Sequence, residues 1–215
     1  MKNTVCSWSG GKDSCYALIQ AIGLGYVPKV LLNVLNEEGK ISRSHGIPSS
    51  ILKAQAAAAG IPIHMVSSSW QEYEPNFTES LNDLRKVYDL NYAVFGDIDL
   101  DPHREWEEKV CRNAGLTAIL PLWKQDRRSL VMQMLDTPIR CMIVSCNETM
   151  GEKFIGRILD QQTINELDLI GIDPCGENGE FHILVLDCPL FSSAIDARVE
   201  KVLHHEKYWF GQLIQ

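Results

Sequence analysis

Residues 4–14 read Thr-Val-Cys-Ser-Trp-Ser-Gly-Gly-Lys-Asp-Ser, an apolar stretch that runs into two adjacent glycines. From Cys15 onward, apolar residues recur at the spacing of one helix face, at Cys15, Leu18, Ile19 and Ile22. The order predicts a strand, a tight loop and a helix. Glycines lack Cβ, so backbone N–H groups can converge on one anion, and the helix start adds free amides with roughly +0.5 of a charge. The stretch therefore predicts a phosphate-binding loop that opens an α/β domain.

Strand and helix patterns alternate after this loop. Strands are predicted over residues 29–35, 62–66, 92–95, 118–120 and 140–145, each preceded by a helical segment. Regular alternation implies βαβ crossovers and an α/β fold with a doubly wound, mainly parallel sheet that is covered on both faces. Such sheets bind ligands beyond the carboxyl ends of their strands. The loops that begin at Ser9, Asn36 and Gly96 are therefore the expected site.

The alternation stops near residue 146. Short helical pieces, a loop rich in glycine over residues 171–179, a strand over residues 181–186 and an apolar tail follow. We divide the chain into a phosphate-binding α/β domain over residues 1–146 and a small C-terminal α+β lobe over residues 147–215, which we expect to bind the substrate. A chain of 215 residues leaves no room for a third module.

Charge and cysteine usage exclude several classes of protein. The formal net charge of −8 disfavours nucleic acid as a partner, and the nearest basic group, Lys124, Arg127 and Arg128, lacks interleaved aromatic residues. The seven cysteines are scattered without a C-x-x-C pair, and no basic-then-apolar leader precedes the first strand. No apolar run approaches the roughly 20 residues of a membrane span. We expect a reduced, cytoplasmic protein, with no membrane partner and with self-association left open.

The loop over residues 9–14 is not a Walker A motif, which would need glycine at Cys6 and a hydroxyl group at Asp13. It resembles the S-G-G-x-D-S signature of the PP-loop ATP pyrophosphatases, a Rossmann-like superfamily that cleaves ATP between the α and β phosphates. The resemblance implies ATP and Mg²⁺ as ligands. The helix start, Lys12 and Mg²⁺ together would nearly offset the roughly −4 charge of ATP. An ordinary glycine-rich turn with a serine N-cap is the alternative.

Three further stretches narrow the resemblance: Gly96-Asp97-Ile98, the run over residues 104–111, and Gly-Glu-Asn-Gly-Glu-Phe-His over residues 176–182. With the loop, they resemble the diphthine–ammonia ligase family and its bacterial relatives over nearly the whole chain. The resemblance implies ATP-dependent amidation of the diphthine carboxylate on elongation factor two, with ammonia as nitrogen donor. The chain departs from the pattern at Ile183, where threonine is usual, and at Ser44-His45-Gly46. These departures leave the acceptor open.

The chemistry assigns roles to particular residues. A carboxylate must become an acyl-adenylate, with loss of pyrophosphate, before ammonia can displace AMP. Catalysis of the first step asks for backbone donors, a cation and a metal-binding carboxylate. The expected nucleotide-binding residues are Ser9, Gly10, Gly11, Lys12, Asp13, Ser14, Gly96, Asp97 and Arg104, with Asp13 or Asp97 holding Mg²⁺. The expected catalytic residues are Lys12, Asp13, Glu177, Glu180 and His182, the last three for the ammonia step.

Structural alternatives exist for most of these residues. Asp97 could be a turn or N-cap residue after a strand, Arg104 could lie on a solvated helix start, and His45 could contact neither nucleotide nor substrate. Residues 177–182 flank two turn residues, so a surface hairpin also fits them. Three other functions compete with the main hypothesis: an amidoligase for a small metabolite, as in cobalamin salvage; a PP-loop enzyme that modifies tRNA; and an ATP-binding module without turnover.

Overall fold

The computed structural model describes residues 1–215 and contains two β-sheets and six α-helices. The first sheet is parallel, with the strand order β3-β2-β1-β4-β5. Its strands are β1 (Lys2–Ser7), β2 (Tyr26–Leu35), β3 (Ile63–Ser67), β4 (Tyr92–Val94) and β5 (Thr117–Ile119). The second sheet is antiparallel, with the order β7-β6-β9-β8. Its strands are β6 (Arg140–Asn147), β7 (Phe181–Asp187), β8 (Arg198–His205) and β9 (Tyr208–Ile214).

The helices connect and cover these sheets. They are α1 (Lys12–Gly23), α2 (Ser49–Ala59), α3 (Tyr73–Tyr88), α4 (Asp101–Asn113), α5 (Arg127–Asp136) and α6 (Gln161–Leu169), with one 3-10 turn at Glu152–Phe154. None of the helices has both the length and the apolar composition that spanning a bilayer requires.

The parallel sheet is buried on both faces, which explains its continuous apolar strands. Alternate residues point to opposite sides, so Val30 and Leu32 pack with α3 and α4 while Leu31 packs on the other side. That other side is a larger core, formed with α1, α2, α5 and the second sheet. The predicted doubly wound α/β fold and its α+β partner are therefore confirmed.

One strand was predicted in the wrong sheet. We predicted that residues 140–145 extend the parallel sheet, but β6 pairs in antiparallel fashion with β7 and β9 in the second sheet. The apolar run from Cys141 to Cys146 predicted a buried strand correctly, because the second sheet packs its own face into the shared core. We propose that the boundary between the two units lies between β5 and β6 rather than at residue 146.

The second sheet reaches the loop that follows β1. Val185 of β7 donates its backbone N–H to the carbonyl oxygen of Gly10 at 3.0 Å. The buried Gln55 side chain of α2 donates to that same oxygen at 3.1 Å and to the Val185 carbonyl at 2.8 Å. The Gln55 side-chain oxygen in turn accepts the indole N–H of Trp8 at 3.0 Å. The loop is thus held by both units.

Candidate active site

A cavity of about 580 Å³ lies where the strand order reverses, at the carboxyl ends of β1 and β4. Its walls come from the loops after these two strands, from α4 and from the segment that leads into β7, and they include Lys12, Asp97, Glu177 and His182. The switch point of an open α/β sheet is the usual place for a ligand, and this volume is within the range of small-molecule sites.

Two glycines give the site its shape. Gly10 has a φ of +82°, and a Cβ atom there would lie 2.9 Å from both Gln55 Oε1 and Leu52 Cδ2. A Cβ atom at Gly96 would lie 2.7 Å from the backbone nitrogen of Ser14, so the loop after β4 touches the start of α1 directly. A larger residue at either position would displace backbone or buried side chains.

Hydroxyl groups brace the loop from within. Ser9 Oγ accepts the backbone N–H of Gly11 at 3.2 Å and lies 3.0 Å from Ser14 Oγ. Ser14 Oγ donates to the Gly11 carbonyl at 3.1 Å. Gly11 is the N-cap of α1, and no side chain caps this helix. The first amides of α1 therefore retain the capacity to bind an anion at the cavity.

The Lys12 ammonium group is buried and bonded to both units. Its side chain is 4% exposed, and Nζ lies 2.8 Å from each carboxylate oxygen of Asp13 and 2.6 Å from the carbonyl oxygen of Cys175. Burial acts to lower the pKa of Lys12, but the charge and hydrogen bond of Asp13, together with the nearby Cys175 and Glu177, outweigh it and the net shift is upward. Burial raises the pKa of Asp13 against the opposing effect of Lys12. Lys12 is therefore protonated at the cavity wall, where it is paired with Asp13.

A carboxylate and a carboxylic acid stand together on the opposite wall. Asp97 Oδ1 lies 2.7 Å from His103 Nδ1. Glu107 is 3% exposed, and its Oε2 has no hydrogen-bond partner. Burial, with the Asp97 charge next to it, raises the pKa of Glu107 to about 11, so Glu107 is protonated. Burial acts to raise the pKa of Asp97, but its polar contacts with His103 and Glu107 give a net decrease, so Asp97 is charged.

The second unit contributes a carboxyl group and an imidazole. Burial, followed by the Asp13 charge, raises the pKa of Glu177 to about 7. Burial and the Lys12 charge lower the pKa of His182. Burial, His182 and Lys12 lower the pKa of His45 well below its ordinary value, and the rings of His45 and His182 are 4.6 Å apart between centroids. Both imidazoles are neutral near pH 7, and Glu177 titrates there.

The structure brings most of the predicted residues together. Those that line the cavity are Ser9, Lys12, Asp13, Ser14, Gly96, Asp97, Glu177 and His182, while Gly10 and Gly11 shape the loop beneath. Two other predicted residues, Arg104 and Glu180, lie away from the cavity. Arg104 donates from Nε to Glu108 Oε1 at 2.7 Å and covers the ring of Trp123 at 5.2 Å. The Glu180 carboxylate accepts the backbone and side-chain N–H groups of Asn178 at 3.0 and 2.9 Å, which closes the turn before β7.

Sequence reasoning missed the two α4 residues that face the cavity, His103 and Glu107. A signal existed: they are four residues apart, and Glu107 precedes the buried Val110 by three, which places a carboxyl group on the buried face of the helix. The aromatic wall was also missed. Trp70, Tyr73 and Trp106 line the cavity, with Tyr73 stacked on Trp70 and 5.6 Å from each of the two indoles.

The donor set fits Mg²⁺ only together with a substrate. No group of three His, Cys, Asp or Glu side chains is arranged to hold a metal ion. Mg²⁺ is usually bound by one or two carboxylates plus substrate phosphates. The charged Asp97 is one such carboxylate, and the unpartnered Oε2 of the protonated Glu107 lies beside it as a neutral oxygen. Both Asp13 oxygens already contact Lys12, so this carboxylate is less open to a metal.

A parallel sheet with a Ser-Gly-Gly-Lys-Asp-Ser loop at its switch point defines a nucleotide-binding protein of the PP-loop type. Residues 1–118 match the sequence model described as "Diphthamide synthase N-terminal domain", and residues 126–214 match the one described as "Diphthamide synthase C-terminal domain". The chain belongs to the diphthamide synthase family.

Two of the curated relatives agree with this assignment. The diphthine–ammonia ligase of Schizosaccharomyces pombe is 28% identical over 219 residues, which cover 92% of this chain and 36% of that protein. The human diphthine–ammonia ligase is 27% identical over 223 residues, which cover 92% of this chain and 83% of that protein. A solved structure described as a predicted subunit of tRNA methyltransferase from Methanocaldococcus jannaschii superposes with a TM-score of 0.45 at 16% identity, covering 87% of this chain and 98% of that one.

Proposed function

We propose that this chain activates a carboxylate with ATP and then amidates it with ammonia, as a diphthine–ammonia ligase. The family and the curated ligases among its relatives support an ATP-dependent ligase. The observation that carries the proposal is the convergence on one cavity of the Lys12 loop from the first unit and of Glu177 and His182 from the second. The acceptor that we propose is the diphthine carboxylate on elongation factor two.

The first half-reaction places ATP phosphates against the loop. The Ser9–Ser14 loop and the uncapped start of α1 donate N–H groups to the phosphates, and Lys12 exchanges its contact with Asp13 for the charge that develops on them. A carboxylate oxygen of the acceptor attacks the α-phosphorus, the bond to the bridging oxygen breaks, and pyrophosphate leaves with the electron pair. The product is an acyl-adenylate.

Asp97 is the proposed Mg²⁺ ligand, with Glu107 beside it and Asp13 as a second candidate. Bound Mg²⁺ would offset phosphate charge. Asp97 is positioned for this role by His103 at 2.7 Å and is charged near pH 7. Gly96 allows the loop that carries Asp97 to touch the start of α1. The carboxylate and the phosphate loop are therefore held at a fixed separation.

The second half-reaction needs a proton acceptor. The nitrogen of ammonia attacks the acyl carbon, the bond from that carbon to the AMP oxygen breaks, and one proton leaves the nitrogen. Glu177, with a pKa of about 7, attracts ammonium when ionised, and the neutral His182 imidazole accepts a proton. Arg104 and Glu180 contribute as positioning residues, through the surface of α4 and through the turn that carries Glu177. We also propose a cytoplasmic location, in keeping with seven free cysteines.

The test is an analysis of products with defined substrates. Purified chain is incubated with ATP, ammonium and elongation factor two that carries diphthine, and nucleotides are separated by chromatography. We expect AMP and pyrophosphate in a one-to-one ratio with amide, detected by mass spectrometry. Ammonia-free glutamine in place of ammonium should give no amide. ADP and orthophosphate as products would refute the adenylation step, and no amide on this acceptor would refute the proposed substrate.

A further inference from the structure

A second cavity of about 530 Å³ lies between the loop after β2 and the antiparallel sheet. One wall is the segment from Ile41 to Gly46, and the other comes from β6, β8 and β9, including Ser145, Leu203 and Gln212. The volume is close to that of the first cavity and lies within the range of small-molecule sites. Nothing in the ATP chemistry described above uses it.

The two cavities share a wall. Ser44, His45 and His182 line both of them. The His45 and His182 rings are 4.6 Å apart between centroids, and His45 Nδ1 is 2.9 Å from Ser44 Oγ. A Cβ atom at Gly11 would lie 2.7 Å from His45 Nε2, so this imidazole touches the phosphate loop. The two imidazoles therefore lie between the second cavity and the loop where ATP is proposed to bind.

The cavities differ in charge. Asp13, Asp97, Glu107 and Glu177 line the first cavity. The residues that line the second include no aspartate or glutamate, and the charged side chain among them is Arg43. In a chain with a net charge of −8, an acid-free cavity of this size admits a carboxylate, which the charged Asp97 would repel in the first cavity unless Lys12 or a bound cation offset it.

Two features of the second cavity indicate a ligand that covers it. Ser145 Oγ is buried on its wall without a hydrogen-bond partner, and such a group costs free energy until something bonds to it. Ile41, Leu203 and Phe210 line the same cavity although more than a third of each is exposed. An apolar rim around a pocket is typical of a surface that a protein partner covers.

We propose that the second cavity receives the carboxylate-bearing side chain of a protein acceptor and that the His45–His182 pair marks where its carboxylate meets ATP. This inference rests on the proposed function and adds the location of its acceptor. The acceptor backbone lies on the apolar rim, and its modified side chain extends inward past Ser145. The carboxylate then approaches the α-phosphate from the side of His45 and His182 rather than from the side of Asp97. Ammonia alone would need far less volume and no apolar rim.

A blocking substitution tests the location. Gln212 is exposed on β9 and lines the cavity, so Gln212→Trp should fill it from a position that tolerates a change. Glu200→Trp on β8 is the matched control, because Glu200 is exposed and does not line the cavity. With diphthine-bearing elongation factor two, Gln212→Trp should raise the KM for the acceptor at least tenfold. The ATP affinity, measured by calorimetry, should stay within twofold, and Glu200→Trp should resemble the unchanged protein.

A labelling experiment covers the case in which the tryptophan variant does not fold. All seven native cysteines are buried, so Gln212→Cys and Glu200→Cys each add one reactive thiol. The diphthine-bearing factor should slow maleimide labelling of Gln212→Cys at least fivefold, and unmodified factor or the Glu200→Cys control should show little protection. Amidation by the unchanged protein with equal labelling at both positions would refute the acceptor cavity and leave the proposed function standing. Absence of amidation by the unchanged protein would refute the proposed function, and this inference with it.

Discussion

Replacing Glu107 by glutamine should stabilise the protein at neutral pH. Glu107 is 3% exposed, and its pKa is raised from 4.5 to about 11 by burial and by Asp97. The folded protein therefore keeps this group protonated, while the unfolded chain ionises it above pH 4.5. Glutamine is similar in size, is neutral in both states and can still donate a hydrogen bond towards Asp97. The substitution therefore removes the free-energy cost of keeping Glu107 protonated in the folded protein at neutral pH.

The magnitude follows from linkage. A group with a raised folded pKa contributes its full stability below its unfolded pKa, and that contribution is lost as pH rises. Each pH unit between 4.5 and 7 costs about 1.4 kcal/mol, so up to about 3 kcal/mol separates the two proteins at pH 7. Small losses in packing around the amide would reduce the gain. We expect Glu107→Gln to be more stable by about 1–3 kcal/mol at pH 7, with little difference near pH 4.5.

Urea unfolding at several pH values between 5 and 8 measures this difference. The gap between Glu107→Gln and the unchanged protein should widen steadily with pH. Glu105→Gln is the matched control, because Glu105 is exposed on the same helix, and its gap should stay near zero. A gap for Glu107→Gln that is independent of pH, or a variant that is less stable at pH 8 than at pH 5 relative to the unchanged protein, would show that Glu107 is ionised in the folded state.

Three further predictions concern the cavity and the turn before β7. Lys12→Met should lower kcat/KM at least a hundredfold. It should also cost about 1–3 kcal/mol of stability, because the buried Asp13 loses its partner. Adding Asp13→Asn should restore part of the stability but none of the turnover, as measured by thermal melting and product assays on the same variants. The rate of amide formation should rise with pH through about 7 as Glu177 ionises, and Glu177→Gln should flatten that profile. Glu180→Ala should lower the melting temperature while calorimetry shows unchanged ATP affinity; loss of ATP binding would instead place Glu180 in the nucleotide site.

The parallel sheet was predictable because its signals are local. Glycines at positions 10 and 96, apolar strands before them and helical spacing after them all lie within short segments. The sheet to which residues 140–145 belong was not predictable in this way. An apolar run shows that a strand is buried, but its partners β7 and β9 lie about 40 and 70 residues further along the chain. Pairing at such separations depends on packing rather than on local pattern.

The missed and misplaced site residues have a similar explanation. Arg104 and His103 are neighbours in sequence, but a helix turns about 100° per residue, so His103 and Glu107 face Asp97 while Arg104 pairs with Glu108. If the first residue of α4 had been known from the sequence, helix geometry would have shown that His103 and Arg104 point in different directions. Glu177 and Glu180 flank a turn in which Gly176 and Gly179 have φ values of +75° and +80°. The conformation of this turn directs the Glu180 carboxylate to the backbone and side-chain N–H groups of Asn178. The sequence did not reveal that conformation.

The carbonyl oxygen of Gly10 accepts N–H groups from Val185 and from Gln55, and Gln55 also bonds back to Val185. Removing the second sheet would take one hydrogen bond each from the Gly10 carbonyl, the Gln55 amide and the Lys12 ammonium group, at about 0.5–1.5 kcal/mol for each bond. The two halves of this chain therefore cannot be exchanged independently with those of other nucleotide-binding proteins. A first half transplanted alone would keep the Ser-Gly-Gly-Lys-Asp-Ser sequence but would lose the contacts that hold this loop in its phosphate-binding conformation. Recombination or design on this scaffold has to move β7 together with the loop.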